Sequence, residues 1–330
     1  MRSETCWVSQ MDNGRLDLVP ILDTVKIEGP NAFAFQGEAL IFTTPAEAEE
    51  RLRDLLYERC YMRRLNSGSN PAAASNGNSS ILSELRAANR GRARWQSGWR
   101  IESVLSGNWI TAGRDGLNRT FAPGEFVTKE GPGMPLRVGG TVDVYFAVES
   151  EYMQPGFYFA FGDTICDEWD NGCLLRFYWH LEPAGAPLLL ESISSRLNRF
   201  QVPYRFKCLI HPGAYIRADS AVLFVPRRYF QVVGRLLRET RRSIASHLRD
   251  EAPLFTKSLA HGLAFAEDPG GGQSFGMHRC GVLAQSICEV ASNGNGLVCA
   301  GLEEALQRKG VSVITPYLNP GSADIYDFVP

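Results

Sequence analysis

The sequence lacks most of the features that assign a protein quickly. In its 330 residues no apolar run approaches the ~18 to 20 residues of a membrane span. The start, MRSETCWVSQMDNGRLDL, lacks the basic-then-apolar order of a signal peptide, so the expected setting is cytoplasmic, with no membrane partner. The eight cysteines contain no C-x-x-C pair and are scattered along a long chain. That argues against a disulfide scaffold and for small buried thiols in a reducing compartment. No G-x-x-x-x-G-K-S/T phosphate loop, H-E-x-x-H helix or G-x-S-x-G elbow occurs. The run Gly270-Gly271-Gly272 leads into Gln273-Ser274-Phe275 rather than a lysine, and reads as a loop. The five histidines, His180, His211, His247, His261 and His278, lack the short spacings of a metal site. His278 has only Cys280 nearby, and neither a metal nor an organic cofactor is expected.

Net charge is almost absent too: 34 basic against 36 acidic residues, formally −2. What is present is enough apolar material for a substantial core, 44% hydrophobic and 11% aromatic, which excludes disorder, fibre and coiled coil. The near-neutral total hides a segregation. Residues 176–249 hold thirteen Arg/Lys against four acids, net +9. Residues 1–175 carry 17 against 23, net −6, and residues 250–330 carry four against nine, net −5. A cationic block between acidic flanks points to an anionic partner such as phosphate or an acidic peptide. In 235–249, RLLRETRRSIASHLR, the apolar residues fall at helical spacing, so these arginines are expected mainly on a solvated helix face. With acidic flanks and no recognised reader module, nucleic acid is not an expected partner.

Along the chain, AEAEERLRDLLYERCYMRR (46–64) reads as an amphipathic helix, acidic early and basic late. The Asn/Ser/Gly-rich stretch 66–80 reads as a flexible loop, and ILSELRAANR (81–90) returns to helix. From Trp95 to Val148 apolar and polar residues alternate between turn signals such as Asp115-Gly116. Beyond 154, GFYFAFGD, LLRFYWHLEP, YRFKCLIHP and SAVLFVPRR read as strands. Residues 186–201 and the stretch from Tyr229 to Leu248 read as helices, 251–285 as loop-rich, and VSVITPYLN as a final strand. The expected fold class is α+β, a mostly antiparallel sheet flanked by helices. Three parts are expected: an N-terminal helical region over 1–90, a small β-rich subdomain over 91–150 and an α+β catalytic domain over 151–330.

Two strands carry cations inside apolar surroundings. Strand alternation puts Arg176, Tyr178 and His180 on one face, opposite Leu175, Phe177, Trp179 and Leu181. Arg205 and Lys207 share a face opposite Tyr204, Phe206 and Cys208, with His211, Tyr215, Arg217 and Asp219 following. Such a surface holds a phosphate and supplies a base. Removing phosphate from phosphoserine or phosphothreonine by β-elimination needs a base for the Cα proton, cations for the leaving phosphate and an acid. A lysine serves as base only when neutral, and neighbouring arginines and burial favour that form. Arginine forks bind phosphate bidentately.

The second half resembles the HopA-type family, named for a Pseudomonas type III effector. The stretches carrying the likeness include MQPGFYFAFGD (153–163), LLRFYWHL (174–181), the run from Leu197 to Phe230, APLFTKSLAHGLAFAEDP (252–269), SFGMHRC (274–280) and PYLNPGSADIY (316–326). Looser agreement reaches back to about residue 50. Several relatives are encoded beside aminoglycoside-phosphotransferase-like kinases in pathways to class V lanthipeptides and thioamidated peptides. The resemblance implies a lyase acting on a kinase-phosphorylated precursor peptide, leaving dehydroalanine or dehydrobutyrine, in a complex with that kinase. A more distant likeness is to phosphothreonine lyase effectors, whose site pairs a Lys-x-His strand with a lysine on a neighbouring strand and phosphate-binding arginines. The likeness implies Lys207 as base, Tyr178 or His180 as acid, and Arg176, Arg205 and Arg217 as the phosphate grip. Arg176 stands where a lysine is expected and Tyr178 where the histidine is. Lys257 and Arg279, in strongly resembling stretches, are further phosphate-site candidates, against a role anchoring loops. Two alternative readings are a non-catalytic subunit that docks a leader peptide or the kinase, and a secreted effector.

Overall fold

The computed structural model describes residues 11–12, 15–62, 80–129, 134–292 and 298–328. Cys6 and the stretch 66–79 lie outside them.

The N-terminal part is not all helix. After the short strands β1 (Met11–Asp12) and β2 (Arg15–Leu16) and helix α1 (Val19–Thr24), a three-stranded antiparallel sheet forms. Its strands are β3 (Val25–Gly29), β4 (Ala32–Phe35) and β5 (Glu38–Ile41). This corrects the helical expectation for 1–90. The signal is a tight hairpin at Gln36-Gly37, where φ is +55° and +87°. Helix α2 (Pro45–Leu55) starts on a capping box, Thr44 accepting from the Glu47 amide while Glu47 reaches back. It continues as a π-helical stretch, Leu56–Tyr61. Helix α3 covers Leu82–Ala88.

The alternating segment forms a five-stranded antiparallel sheet. Its strands are β6 (Arg94–Val104), β7 (Ile110–Arg114), β8 (Leu117–Phe121), β9 (Phe126–Thr128) and β10 (Thr141–Phe146), in spatial order β8-β7-β6-β10-β9. It encloses its own core of Trp99, Ile101, Ile110, Phe121, Val142 and Val144.

The remainder builds a seven-stranded antiparallel sheet on β11 (Glu149–Ser150), β12 (Phe157–Phe161), β13 (Leu174–Trp179), β14 (Arg205–Leu209), β15 (Ala221–Pro226), β16 (Lys257–Ala260) and β17 (Leu263–Glu267). The order is β11-β12-β14-β15-β13-β17-β16. Helix α4 covers Glu168–Asn171, α5 Gly185–Arg199, α6 Phe230–Ser243, α7 Phe275–Ser292 and α8 Cys299–Arg308. Both faces of the sheet are covered: Phe230 opens α6 6.2 Å from the Phe177 ring, and Phe275 opens α7 6.2 Å from Tyr178. The chain is α+β. Core residues of the N-terminal part, among them Leu52 and Tyr61, belong to the same cluster as Phe177 and Phe206, so this part packs into the main domain.

Two further segments differ from expectation. Within 251–285, β16 and β17 form a hairpin. Its turn at Gly262 has φ +70° and no room for a Cβ, which would lie 2.7 Å from that of Leu248. The segment 311–319 is not a strand. Pro316 offers no amide, and Leu318 turns back to donate to the Thr315 carbonyl at 3.0 Å.

Candidate active site

The register assembles the site. β15 lies between β14 and β13 and pairs with both, so cross-strand partners form rows on one face. Phe224 separates Arg205 from Arg176 in one row, and Val222 separates Lys207 from Tyr178 in the next. The two cationic strands share a face, as their alternation implies, with an apolar strand between them. The Phe224 ring carries both guanidiniums, Arg205 at 4.5 Å and Arg176 at 5.1 Å.

Lys207 is half-buried. Its Nζ stands 4.6 Å from the Phe157 ring centroid and donates to the Gln154 Oε1 at 3.0 Å. Burial pulls its ammonium down to about 8. Asp219 opposes that shift, while Arg176, Arg217 and Arg205 add to it. A lysine held near 8 has a sizeable neutral fraction close to neutral pH.

The arginines differ in how far they are committed. Arg217 binds Asp219 through two hydrogen bonds of 2.7 and 2.8 Å and reaches the Tyr57 hydroxyl at 3.3 Å. Burial works to raise the Asp219 pKa, but Arg217 and Lys207 hold it below the usual carboxylate value. Arg176 is buried, donating to Asp268 and to the Gln273 carbonyl, each at 2.6 Å. Among the described residues Arg205 has no such carboxylate paired to it: its Nε is buried without a hydrogen-bond partner, and burial lowers its pKa. Arg205 is therefore the cation of this face most available to an incoming anion.

Tyr178 is fully covered. Its hydroxyl lies beside Tyr61 and Arg176 without well-aligned hydrogen bonds, and burial raises its pKa, so it stays a phenol. Tyr61 stacks on Tyr57 at 5.2 Å, so the π-helical stretch backs both Tyr178 and Arg217. His180 follows β13 and is buried. Its amide donates to Gly262 at 3.2 Å and its carbonyl accepts from Arg249 at 2.9 Å.

Two expected residues are held by other partners, Lys257 across the sheet and Arg279 on the Tyr178 side, near enough to feel the charge of Arg176. Lys257 pairs in register with Phe265, which faces Phe177 and therefore the side of the sheet away from Lys207. There it binds Asp324 at 2.7 Å and sits over the Tyr317 ring. Arg279 is buried and donates to the carbonyls of Pro316 and Leu318 at 3.0 and 2.8 Å. It anchors the C-terminal loop. The sequence reading missed Gln154, Tyr57, Tyr61 and Asp268. Only Asp268, which with Glu267 closes the apolar run LAFA, left a signal. Among the described residues no group of three or more His, Cys, Asp or Glu could hold a metal, and no helix is long and apolar enough to cross a membrane.

A cavity of about 310 Å³ lies next to this face, between the small sheet and the strand edge carrying Arg205 and Phe224. Lys207 does not line it, but stands one row further along β14.

A model of the HopA1 effector protein family matches residues 148–318, just over half of the chain and all seven strands of the large sheet, β11 to β17. The chain belongs to the HopA1 effector protein family. Among solved structures it is similar to the effector protein from Pseudomonas syringae pv. tomato strain DC3000, at 19% identity and TM-score 0.40 over 49% of this chain and 62% of that one. It is also similar to the effector protein from Pseudomonas syringae pv. syringae strain 61, at 14% identity and TM-score 0.44 over 82% of this chain and 95% of that one. No curated protein matches.

Proposed function

We propose that this HopA1-family chain is a phosphoserine/phosphothreonine lyase that acts by β-elimination on a precursor peptide phosphorylated by a separate kinase. The observation that carries the reading is Lys207, pulled down to about 8, on one face with Arg205, Arg176 and Tyr178. Neutral Lys207 takes the Cα proton. The C–H electron pair becomes the Cα=Cβ bond, and the Cβ–O bond breaks with its electrons leaving on phosphate. The products are dehydroalanine or dehydrobutyrine and inorganic phosphate, and no oxidant or reductant is consumed. Arg205, which forms no ion pair among the described residues, takes the phosphoryl group. Arg217 and Arg176, fixed by Asp219 and Asp268, add positive potential that keeps Lys207 neutral and favours the dianion leaving. Tyr178, a phenol in the Lys207 row, is the better placed acid in register, and His180 lies beyond the strand end.

The kinase is expected to be aminoglycoside-phosphotransferase-like and to bind as a separate chain, with the product entering a lanthipeptide or thioamidated-peptide pathway. The test uses a Ser-phosphorylated precursor peptide and mass spectrometry. Loss of phosphoric acid from the peptide supports the reading. A peptide that stays phosphorylated through prolonged incubation contradicts it.

A second reading has one observation behind it. Arg235 and Arg242 lie exposed on α6, away from the Lys207 face. A docking subunit would use that surface. Charge reversal at Arg235 and Arg242 then weakens kinase or leader binding, while Lys207→Ala leaves dehydration intact.

A further inference from the structure

The cavity beside Arg205 carries an electrostatic anomaly. Arg205 enters from β14 of the large sheet, and Arg119 from β8 of the small one. They are close enough that Arg119 helps to depress the Arg205 pKa, although burial is the main cause, and burial likewise depresses Arg119. Each guanidinium rests on aromatic rings: Arg205 over Phe224 at 4.5 Å, Arg119 over Phe146 at 5.4 Å and Phe121 at 5.7 Å. Among the described residues neither forms an ion pair. The nearby acids offset them only at longer range, Glu125 and Glu168 raising the Arg119 pKa and Asp268 that of Arg205, and each has another hydrogen-bond partner. Glu125 accepts from the Ala122 amide at 2.9 Å, Glu168 from Thr120 at 3.1 Å, and Asp268 holds Arg176. Burial pushes the Cys166 thiol up to about 12, so it brings no negative charge. Two half-buried like charges facing one cavity, with no ion pair to either, are costly unless an anion sits beside them. The volume, about 310 Å³, is at the low end of the ~300 to 1,000 Å³ of small-ligand sites and suits one side chain.

We infer that this cavity is a second anion subsite, in which Arg119 holds an acidic side chain, carboxylate or phosphoryl, of the same peptide whose phosphorylated residue Arg205 takes beside Lys207. The inference rests on the lyase reading for the identity of the peptide, but its chemistry is independent of turnover. The geometry links the two places. Arg205 and Lys207 are alternate residues of one strand, ~7 Å apart along it, about the step between neighbouring residues of an extended peptide and the next but one. Met153 lines the cavity while Gln154 binds Lys207, so one short segment touches both. Arg119 is a specificity-determining residue supplied by the small β-rich sheet, whose Phe121 and Phe146 support it in the cavity.

The test measures binding without turnover, in full-length Lys207→Ala protein. Inorganic phosphate is titrated by calorimetry, with and without Arg119→Gln. Three phosphoserine peptides are then compared, with glutamate, a second phosphoserine or glutamine two residues from the first phosphoserine. Arg119→Gln is expected to weaken phosphate binding about tenfold and to abolish any preference for an anionic neighbour over glutamine. Arg119→Lys, which keeps the charge, is expected to restore part of that preference and guards against a folding defect. A glutamate preference assigns the subsite to carboxylates, and a preference for the second phosphoserine assigns it to phosphoryl groups. Equal binding of all three peptides, or the same phosphate affinity with and without Arg119→Gln, overturns the inference. An absence of elimination by wild-type protein overturns the lyase reading alone.

Discussion

Lys207 donates a 3.0 Å hydrogen bond from its Nζ to the side-chain carbonyl of Gln154. The partner is neutral, which matters for the chemistry. An amide orients the amine without stabilising the ammonium as a carboxylate would. Burial and three arginines, opposed by Asp219, bring the ammonium down to about 8.

Gln154→Glu places a carboxylate on that bond and favours the charged lysine. The pKa of Lys207 rises, and its neutral fraction at pH 7 falls. Each unit of rise costs ~10-fold in rate below the pKa, so elimination at pH 7 is expected to slow about 10-fold. Activity should recover at higher pH, where the amine is neutral again. A pH–rate profile on a phosphoserine peptide checks this: the rising limb lies near 8 in wild type and moves upward in the variant.

Asp219 acts in the opposite sense, since its carboxylate raises the Lys207 pKa. Asp219→Asn is expected to move the same limb to lower pH. It also leaves the Arg217 guanidinium buried without a counter-charge, which costs ~3 to 5 kcal/mol by the usual penalty for breaking such a pair. In wild type the Asp219 carboxylate titrates lower in the folded than in the unfolded chain. Its stabilisation is therefore complete above the unfolded value of about 4 and is lost as pH falls through the folded value. Thermal unfolding followed from pH 7 to pH 3 should show this acid loss in wild type and a smaller one in the variant.

Gly276 gives the π-helical stretch its room. A Cβ there would lie 2.5 Å from Tyr61 Cε1 and 2.7 Å from Tyr57 Cε2. Gly276→Ala is expected to push the Tyr57–Tyr61 stack aside, at a cost of about 1 to 3 kcal/mol. Because Tyr57 contacts Arg217 and Tyr61 flanks Tyr178, the variant should also raise KM for the phosphopeptide. Denaturant unfolding and steady-state kinetics report the two effects separately.

Lys257 tests the assignment of faces. Its ion pair with Asp324 is partly exposed and lies across the sheet from Lys207. Lys257→Met should lower stability by no more than ~1 kcal/mol and leave the elimination rate within about twofold of wild type. A large loss of rate would move Lys257 into the site.

Much of this geometry was legible in local sequence. Arg-x-Tyr and Arg-x-Lys on alternating strands place Arg176, Tyr178, Arg205 and Lys207 on their faces, because a strand repeats every two residues. What alternation cannot give is strand order. That β15 stands between β13 and β14, so that Val222 and Phe224 separate the polar groups, depends on tertiary pairing. The partners of the cations were hidden for the same reason. Tyr57 lies 160 residues from Arg217, and Asp268 92 from Arg176. Lys257 resembled its fellow candidates in sequence, and only its register with Phe265 puts it on the far side. The hairpin after Thr256 was missed because its strands are short and its turn, His261-Gly262, is one residue of strong signal. The three-stranded sheet before α2 was overlooked beside a stronger helical pattern.

The central claim is that Lys207 is the base of a phosphate elimination. The most direct measurement incubates a Ser-phosphorylated precursor peptide with wild-type protein and with Lys207→Ala, and follows loss of phosphoric acid by mass spectrometry. The account predicts that wild type converts the peptide to its dehydroalanine form and that Lys207→Ala still binds it but eliminates at least ~100-fold more slowly, the low end of what a positioned general base contributes. Equal rates for the two proteins would contradict it.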